Sequence, residues 1–128
     1  MMSEFIVSIS VDLKKHRLRI HRNTLNALGV PKFVQLMINP TDMVIAIIGT
    51  EKALPESHKV NLSQLGAENS YELYSKTLIN ELRSLVPNLD SGNSYRFYGR
   101  KVSGENIVLF PMTSIQSIDK AEVKTHGK

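Results

Sequence analysis

The stretch RLRIHRNTLNALGVPKFVQLMINPTDMVIAI, residues 17–47, decides the fold, because a strand, a short helix and a hairpin follow one another within it. At its start, Leu18 and Ile20 alternate with Arg17, Arg19 and His21. Such an alternation is typical of a strand that buries one face. The sequence therefore predicts a strand whose apolar side faces a core and whose other side is basic.

A short helix is predicted directly after this strand. Asn23 can cap its first amide groups, the helical segment runs from Thr24 to Leu28, and Gly29 stands where a left-handed residue commonly ends a helix. Pro31 prevents a simple continuation. We therefore expect a helix of one or two turns.

A hairpin completes the stretch. Phe33–Ile38 and Met43–Ile48 are rich in bulky and β-branched residues, and Asn39–Asp42 between them has the composition of a turn. Because the second segment is apolar throughout, it is predicted to be buried on both faces.

This order of elements resembles the AbrB and MazE-like swapped-hairpin transcription factors. In that family a basic strand, a short helix ending in Leu-Gly and a hairpin form an intertwined dimer on DNA. Here Arg17–Ile20 corresponds to the basic strand, Leu28–Val30 to the helix end and Val34–Ile47 to the hairpin. The chain has His21 where the family usually has proline, and Pro31–Phe33 where it usually has a Gly-Asp pair. The resemblance implies an obligate homodimer that binds double-stranded DNA.

The rest of the chain predicts support for this stretch. We expect a first strand at Glu4–Val11 that buries one face, because Phe5, Val7, Ile9 and Val11 alternate with the residues between them. In chain order there follow a polar turn at Asp12–His16, a loop at 49–59, a short strand around Val60 and Leu62, a long helix at Tyr71–Val86, and a second hairpin formed by Tyr95–Val102 and Glu105–Phe110. The predicted fold class is therefore α+β. It is mostly antiparallel β, with a swapped-hairpin-like N-terminal half, a second β-hairpin, one short α-helix and one long α-helix. Residues 1–128 are predicted to form a single compact domain with sub-parts 4–48 and 60–116 and a flexible tail at 117–128.

Composition excludes several classes of site. The chain has 128 residues, 41% of them hydrophobic, and no cysteine, which rules out disulfides, thiolate catalysis and cysteine-ligated metals. The N-terminal apolar run is too short for a signal peptide, and no segment approaches the roughly 20 apolar residues of a membrane helix. A cytoplasmic protein with no cofactor and no membrane partner is expected.

The charge distribution points to a function. The net charge is +4, yet no acidic residue lies between Asp12 and Asp42. The cations of that window are Lys14, Lys15, Arg17, Arg19, Arg22 and Lys32. Such a focused positive charge predicts a nucleic-acid surface, with the first five residues on phosphate and Lys32 flanking them. Arg17 or Arg19 could in addition read guanine edges. The alternative is a solvated strand face whose charges discourage aggregation.

A second basic cluster lies in the predicted hairpin at Tyr95–Val102. There Arg96, Tyr98 and Arg100 alternate with Tyr95 and Phe97, and Lys101 follows. Interleaved aromatic and basic residues occur on platforms that bind single-stranded nucleic acid. The alternation favours a different interpretation, in which Tyr95 and Phe97 face the core and the other three residues face outward.

No catalytic motif is present, and His16 and His21 are spaced so that an extended chain points them in opposite directions, which argues against a metal site. The leading hypothesis is a small, non-enzymatic DNA-binding protein, a transcriptional regulator. The runner-up is a protein-interaction or structural accessory domain with a merely solvated basic face.

Overall fold

The structure, a computed structural model, describes residues 6–61, 63, 65–66, 69–90 and 92–118. Within these residues it has nine strands and two α-helices. The strands are β1 (Val7–Asp12), β2 (Arg17–Ile20), β3 (Phe33–Asn39), β4 (Val44–Thr50), β5 (His58–Lys59), β6 (Tyr71–Tyr74), β7 (Ser94–Lys101), β8 (Ile107–Pro111) and β9 (Gln116–Ser117). The helices are α1 (Arg22–Ala27) and α2 (Lys76–Leu85), and a 3-10 turn spans Met112–Ser114.

All described strands belong to one antiparallel sheet. Its order is β5-β3-β4-β8-β7-β1-β2-β6, and β9 pairs with β7 beside this path. The sheet curls into a half-barrel whose edge strands are β5 and β6. Residues from both ends of the sheet line one cavity of about 420 Å3, including Leu36 and His58 on one side and Leu73 and Leu78 on the other. The two edges therefore face each other across a gap.

Strand β7 connects the two halves of the curled sheet. Its first part pairs with β1, from Ser94 opposite Asp12 to Gly99 opposite Val7. Its last residues pair instead with β8, where Arg100 lies opposite Leu109. The change of partner occurs at Gly99, so this residue marks where the sheet bends.

The inner face of the half-barrel forms the core. The alternation predicted for the first strand is confirmed, because Val7, Ile9 and Val11 are buried. Val34 on β3 and the other inward residues continue this core across the sheet. The largest fully buried side chains are Phe97, Phe110, Ile9, Leu13, Leu18, Ile20, Leu25, Leu28, Ile45, Ile47, Ile79 and Leu82. Burial of this apolar face is the main driving force for closing the sheet.

Helix α1 completes the hydrogen bonding of β1 where β2 has ended. The Thr24 hydroxyl accepts a hydrogen bond from the Ser8 amide (3.1 Å) and donates one to the Ser8 carbonyl (2.7 Å). Thr24 is fully buried, so it satisfies two backbone groups that water does not reach. One side chain thus replaces a missing strand partner.

We expect Thr24→Val to lower the free energy of unfolding by about 2 kcal/mol, because both Ser8 backbone groups would stay buried without a partner. Thr24→Ser keeps the hydroxyl and is the matched control, with a smaller loss from its missing methyl group. Urea denaturation of the three proteins measures the effect. A Val variant as stable as the Ser variant would contradict this role.

The start of α1 differs from the prediction and its end confirms it. The helix begins at Arg22 with His21 as its N-cap, and His21 makes no side-chain cap bond, so the prediction of Asn23 as the cap is wrong. The His21 ring is instead bonded to serines of β1. At the other end, Gly29 has φ 79°, and its amide donates to the carbonyl of Asn26 as expected for a left-handed terminating residue.

The prediction of a long helix at Tyr71–Val86 is wrong. Tyr71–Tyr74 forms strand β6, which pairs with β2, and helix α2 starts only at Lys76. Ser75 separates the two elements, and its hydroxyl accepts a hydrogen bond from the Leu78 amide at 3.1 Å. Pairing with β2 supplies hydrogen-bond partners for the backbone groups of 71–74. It also extends the buried inner face of the sheet through Leu73.

The fold class also needs correction in its N-terminal half. The hairpin β3–β4 forms as predicted, but it is flanked within the same chain by β5 on one side and β8 on the other. The architecture is therefore a curled half-barrel rather than a swapped-hairpin half followed by a separate hairpin, although it stays broadly α+β. Strand β4 is not buried on both faces as predicted, since Ile45 and Ile47 are buried and Val44 and Ala46 are only half-buried.

Other boundaries shift by small amounts. The short strand predicted around Val60 is found at His58–Lys59, and Leu62 lies outside the described residues. Gln116 and Ser117, the second of which is the first residue of the predicted tail, pair with β7, while 119–128 lie outside the described residues. Among the described helices, none is long and apolar enough to cross a membrane.

Candidate nucleic-acid interface

The outward side of strands β2, β1 and β7 carries several charged and hydroxyl side chains. We call it the β2–β1–β7 face. Its side chains alternate with the core residues of the same strands. They are Arg17 and Arg19 of β2, Ser8, Ser10 and Asp12 of β1, and Ser94, Arg96, Tyr98 and Arg100 of β7.

The strand register places one arginine on each side of Ser10. Ser10 lies opposite Arg19 on β2 and opposite Arg96 on β7. Directly opposite residues in an antiparallel sheet have Cα atoms about 5 Å apart. The Cα atoms of Arg19 and Arg96 are therefore about 10 Å apart, with the Cα atom of Ser10 between them. In the next row, Asp12 lies opposite Arg17 and Ser94.

Two of the predicted phosphate-binding arginines already have carboxylate partners. A guanidinium nitrogen of Arg17 lies 3.2 Å from Asp12, and Nε of Arg19 donates to Glu72 at 2.9 Å. Both pairs are partly shielded, with side chains 15–25% exposed. Their positive charge is therefore locally offset, which the acid-free sequence window did not reveal, because Glu72 arrives from distant β6.

Lys14 and Lys15 occupy the turn between β1 and β2. Both side chains are exposed, and the turn is held by buried Leu13 and by a hydrogen bond of 3.1 Å from the Lys15 amide to Asp12. The two ammonium groups therefore stand in water at the end of the face that carries Arg17. This arrangement is the one expected if the turn and the strand contact the same ligand.

Arg22 and Lys32 stand apart from this group. Arg22 is exposed at the start of α1, and its Nε donates to Asn26 at 3.2 Å. Lys32 is exposed just before β3, which belongs to the other half of the sheet, and its carbonyl accepts from the Val60 amide. The structure thus brings four of the six predicted residues together, namely Lys14, Lys15, Arg17 and Arg19.

The predicted orientation of Tyr95–Arg100 is confirmed. Tyr95 and Phe97 are buried, while Arg96 and Tyr98 are partly buried on the outward side and Arg100 is exposed. The sequence indicated this alternation, but it did not indicate that β7 pairs with β1. That pairing is what adds Arg96 to the surface of Arg17 and Arg19.

His21 lies over the outward side of β1. Its Nδ1 is 2.7 Å from the Ser8 hydroxyl and its Nε2 is 3.1 Å from the Ser10 hydroxyl. Because a seryl hydroxyl can donate or accept, both ring nitrogens are satisfied in either protonation state of the imidazole. His21 therefore orients two serines of the face. No group of three or more metal-ligating side chains occurs in the described part of the chain.

One ionisable group near the edge is perturbed. Burial raises the pKa of the Tyr71 phenol above its ordinary value of 10.0. Tyr71 lies opposite Ile20 on the core side of β6, so it acts as a neutral packing residue beside the face.

Comparison with known proteins adds no relative to this picture, and the resemblance to AbrB and MazE-like proteins stays a prediction. No family model, no curated protein and no solved structure matches the chain.

Proposed function

We propose that this protein binds double-stranded DNA through the β2–β1–β7 face and the Lys14–Lys15 turn, as a small cytoplasmic regulator. The observation that carries the proposal is the convergence of cations from two strands, β2 and β7, and one turn on a single surface. Arg17, Arg19 and Arg96 lie side by side, and the two lysines extend the surface at one end. Clustered cations of this kind bind the DNA backbone because they displace condensed counterions.

The contacts proposed are to phosphate rather than to base edges. Arg17 and Arg19 are engaged with Asp12 and Glu72, which leaves their guanidinium groups fewer donors for the bidentate reading of guanine. Lysine is a flexible point charge suited to phosphate. Such contacts fix position on the duplex and carry little sequence information by themselves.

The test is a fluorescence anisotropy titration of a mixed-sequence duplex at about 50 and about 200 mM salt. Four phosphate contacts predict a slope of about −3.6 for log affinity against log salt, hence about a hundredfold weaker binding at the higher salt. A slope near zero, or no binding at the lower salt, would overturn the proposal.

Removing the carboxylate beside Arg19 should strengthen binding. We expect Glu72→Gln to raise duplex affinity about fivefold at about 50 mM salt. The substitution replaces the ion pair of Arg19 by a weaker contact with a neutral amide, so the guanidinium group becomes able to contact a phosphate. Glu81→Gln makes the same charge change at an exposed position of α2 and is the control. Equal gains in both variants would show that only net charge matters.

A second candidate function, protein interaction, is favoured by the open edge of β3. Strand β5 pairs only with Phe33 and Val34, so no described strand covers the outer edge of residues 35–39. Met37 in this segment is 52% exposed, and the 420 Å3 cavity begins beside it at Leu36. An unpaired edge of this kind accepts an added strand from a partner.

This candidate function predicts a complex with a protein partner that persists after nuclease treatment and at about 500 mM salt, at which surface charges are screened. Met37→Lys should abolish such binding because a charged edge resists strand addition. Leu54→Lys, at another exposed apolar residue, is the control. The homodimer implied by the family resemblance is a special case, and sedimentation equilibrium of the purified protein tests it.

A further inference from the structure

A small cavity opens between the arginines of the β2–β1–β7 face. Its volume is about 140 Å3. The polar residues that line it are Ser10, Asp12, Arg17, Arg19, Ser94 and Arg96. Since one water occupies about 30 Å3 of liquid, this space holds about five water-sized groups. That is enough for one small ion and far below the several hundred Å3 of a site for a whole nucleotide.

Arg96 has an unusual environment within this cavity. Its Nε is buried and has no hydrogen-bond partner among the described residues, whereas Arg17 and Arg19 are both paired with carboxylates. It is the one buried side-chain nitrogen or oxygen in the described residues for which this is so. Leaving a buried donor unsatisfied destabilises a protein, and more so when the donor belongs to a charged group. Arg96 also lines the cavity as a cation with no carboxylate partner among the described residues, and an external anion can supply that partner.

The surroundings of Arg96 specify the charge of that acceptor. Arg19 approaches from across Ser10, and Arg17 lines the same cavity. Asp12 is the one carboxylate in the lining, and its charge is engaged by Arg17. Arg19 is likewise paired with Glu72, so the Arg96 guanidinium supplies the remaining positive charge, which selects an anion and rejects a cation.

We infer that this cavity binds one tetrahedral oxyanion, a phosphate group, with Arg96 as its principal donor. Guanidinium nitrogens bind phosphate oxygens by charge-assisted hydrogen bonds. Ser10, whose hydroxyl contacts Nε2 of His21, lines the cavity between Arg19 and Arg96. The phosphate comes either from solution or from a nucleic-acid backbone. For the second source the assignment rests on the proposed function, since the cavity lies within the proposed DNA-binding face.

The first test titrates inorganic phosphate into the whole protein, with sodium chloride at matched ionic strength as the reference, and follows binding by calorimetry. We expect saturable binding of one phosphate per chain. Arg96→Gln should weaken it about tenfold or more, since a charge-assisted hydrogen bond is lost. Arg83→Gln removes an exposed arginine from α2 and should leave it unchanged.

Thermal denaturation checks separately whether the Arg96→Gln variant is folded. Because Nε of Arg96 is unsatisfied in the free protein, Arg96→Gln should melt at the same temperature as the wild type or higher in chloride. Phosphate should raise the melting temperature of the wild type more than that of the variant. Non-saturable binding, or equal affinity in the Arg96 and Arg83 variants, would overturn the inference.

Competition distinguishes the two sources of phosphate. If duplex DNA displaces bound phosphate, the cavity receives a backbone phosphate, and if it does not, the cavity serves free phosphate. Phosphate binding with no DNA binding at about 50 mM salt would overturn the proposed function alone. A steep salt slope for DNA with no phosphate binding would overturn the cavity assignment alone.

Discussion

Gly99→Ala is expected to lower the free energy of unfolding by about 3 kcal/mol or more, at the upper end of overpacking effects. A Cβ at this position would lie closest to the carbonyl oxygen of Leu109 and 2.7 Å from Cδ2 of Phe110. The obstacle is backbone of β8, which cannot rotate away as a flexible side chain would. Since β7 changes partner from β1 to β8 at this residue, the added methyl group forces the two halves of the sheet apart.

Gly92→Ala is the matched control for this substitution. Its new Cβ would meet only Asp90 Oδ1, at 3.6 Å, which is an ordinary contact. Urea denaturation with circular dichroism measures both variants, and Gly99→Ala should show a much lower midpoint or no cooperative transition. Equal stability of the Gly99→Ala and Gly92→Ala variants would contradict the close packing of Gly99 against the Leu109 backbone.

The double variant Lys14→Glu/Lys15→Glu should bind duplex DNA about a hundredfold more weakly at about 50 mM salt, because two phosphate contacts become repulsions. Both side chains are exposed in the β1–β2 turn, so the change should leave the fold intact. The turn keeps its anchor, since the hydrogen bond to Asp12 comes from the Lys15 backbone amide. The slope of log affinity against log salt should become shallower by about 2.

Lys52→Glu/Lys59→Glu supplies a control with the same change in net charge. These exposed lysines lie after β4 and in β5, in the half of the sheet that does not carry the β2–β1–β7 face. We expect a loss of only a fewfold, from the long-range field alone. Equal losses in the two double variants would mean that DNA responds to total charge and that the turn is no specific contact.

Local patterns allowed the sequence to predict local structure. The alternation of Val7, Ile9 and Val11 gave the buried side of β1, and Gly29 gave the end of α1. Both depend on neighbours within a few residues. The hairpins β3–β4 and β7–β8 were likewise predictable from two apolar segments joined by a turn.

Residues 71–74 show why part of the fold was mispredicted. Tyr71, Tyr74 and Leu78 recur at the spacing of a helical face, so their periodicity fits one long helix. The competing interaction is the pairing of Arg17–Ile20 with 71–74, between segments more than fifty residues apart. Tertiary pairing of this kind overrides local periodicity, and one sequence gives no sign of it.

The candidate site was predictable only in part for the same reason. Of the six cations of the acid-free window, Lys14, Lys15, Arg17 and Arg19 lie together because they are close along the chain, whereas Arg22 and Lys32 lie apart. Arg96 joins them through the β1–β7 pairing, and Glu72 reaches Arg19 through the β2–β6 pairing. Each of these long-range contacts changes the electrostatics of the site, one by adding a cation and the other by neutralising one.

The most direct test of the proposed DNA-binding face is a nuclear magnetic resonance titration of 15N-labelled protein with a short duplex at low salt. DNA binding through this face predicts the largest amide shifts in the Lys14–Lys15 turn and in the strand segments around Arg19 and Arg96. It predicts little change at His58–Lys59, which lie at the opposite edge of the sheet. Shifts concentrated along β3 and β5, or no shifts at all, would contradict DNA binding through the β2–β1–β7 face.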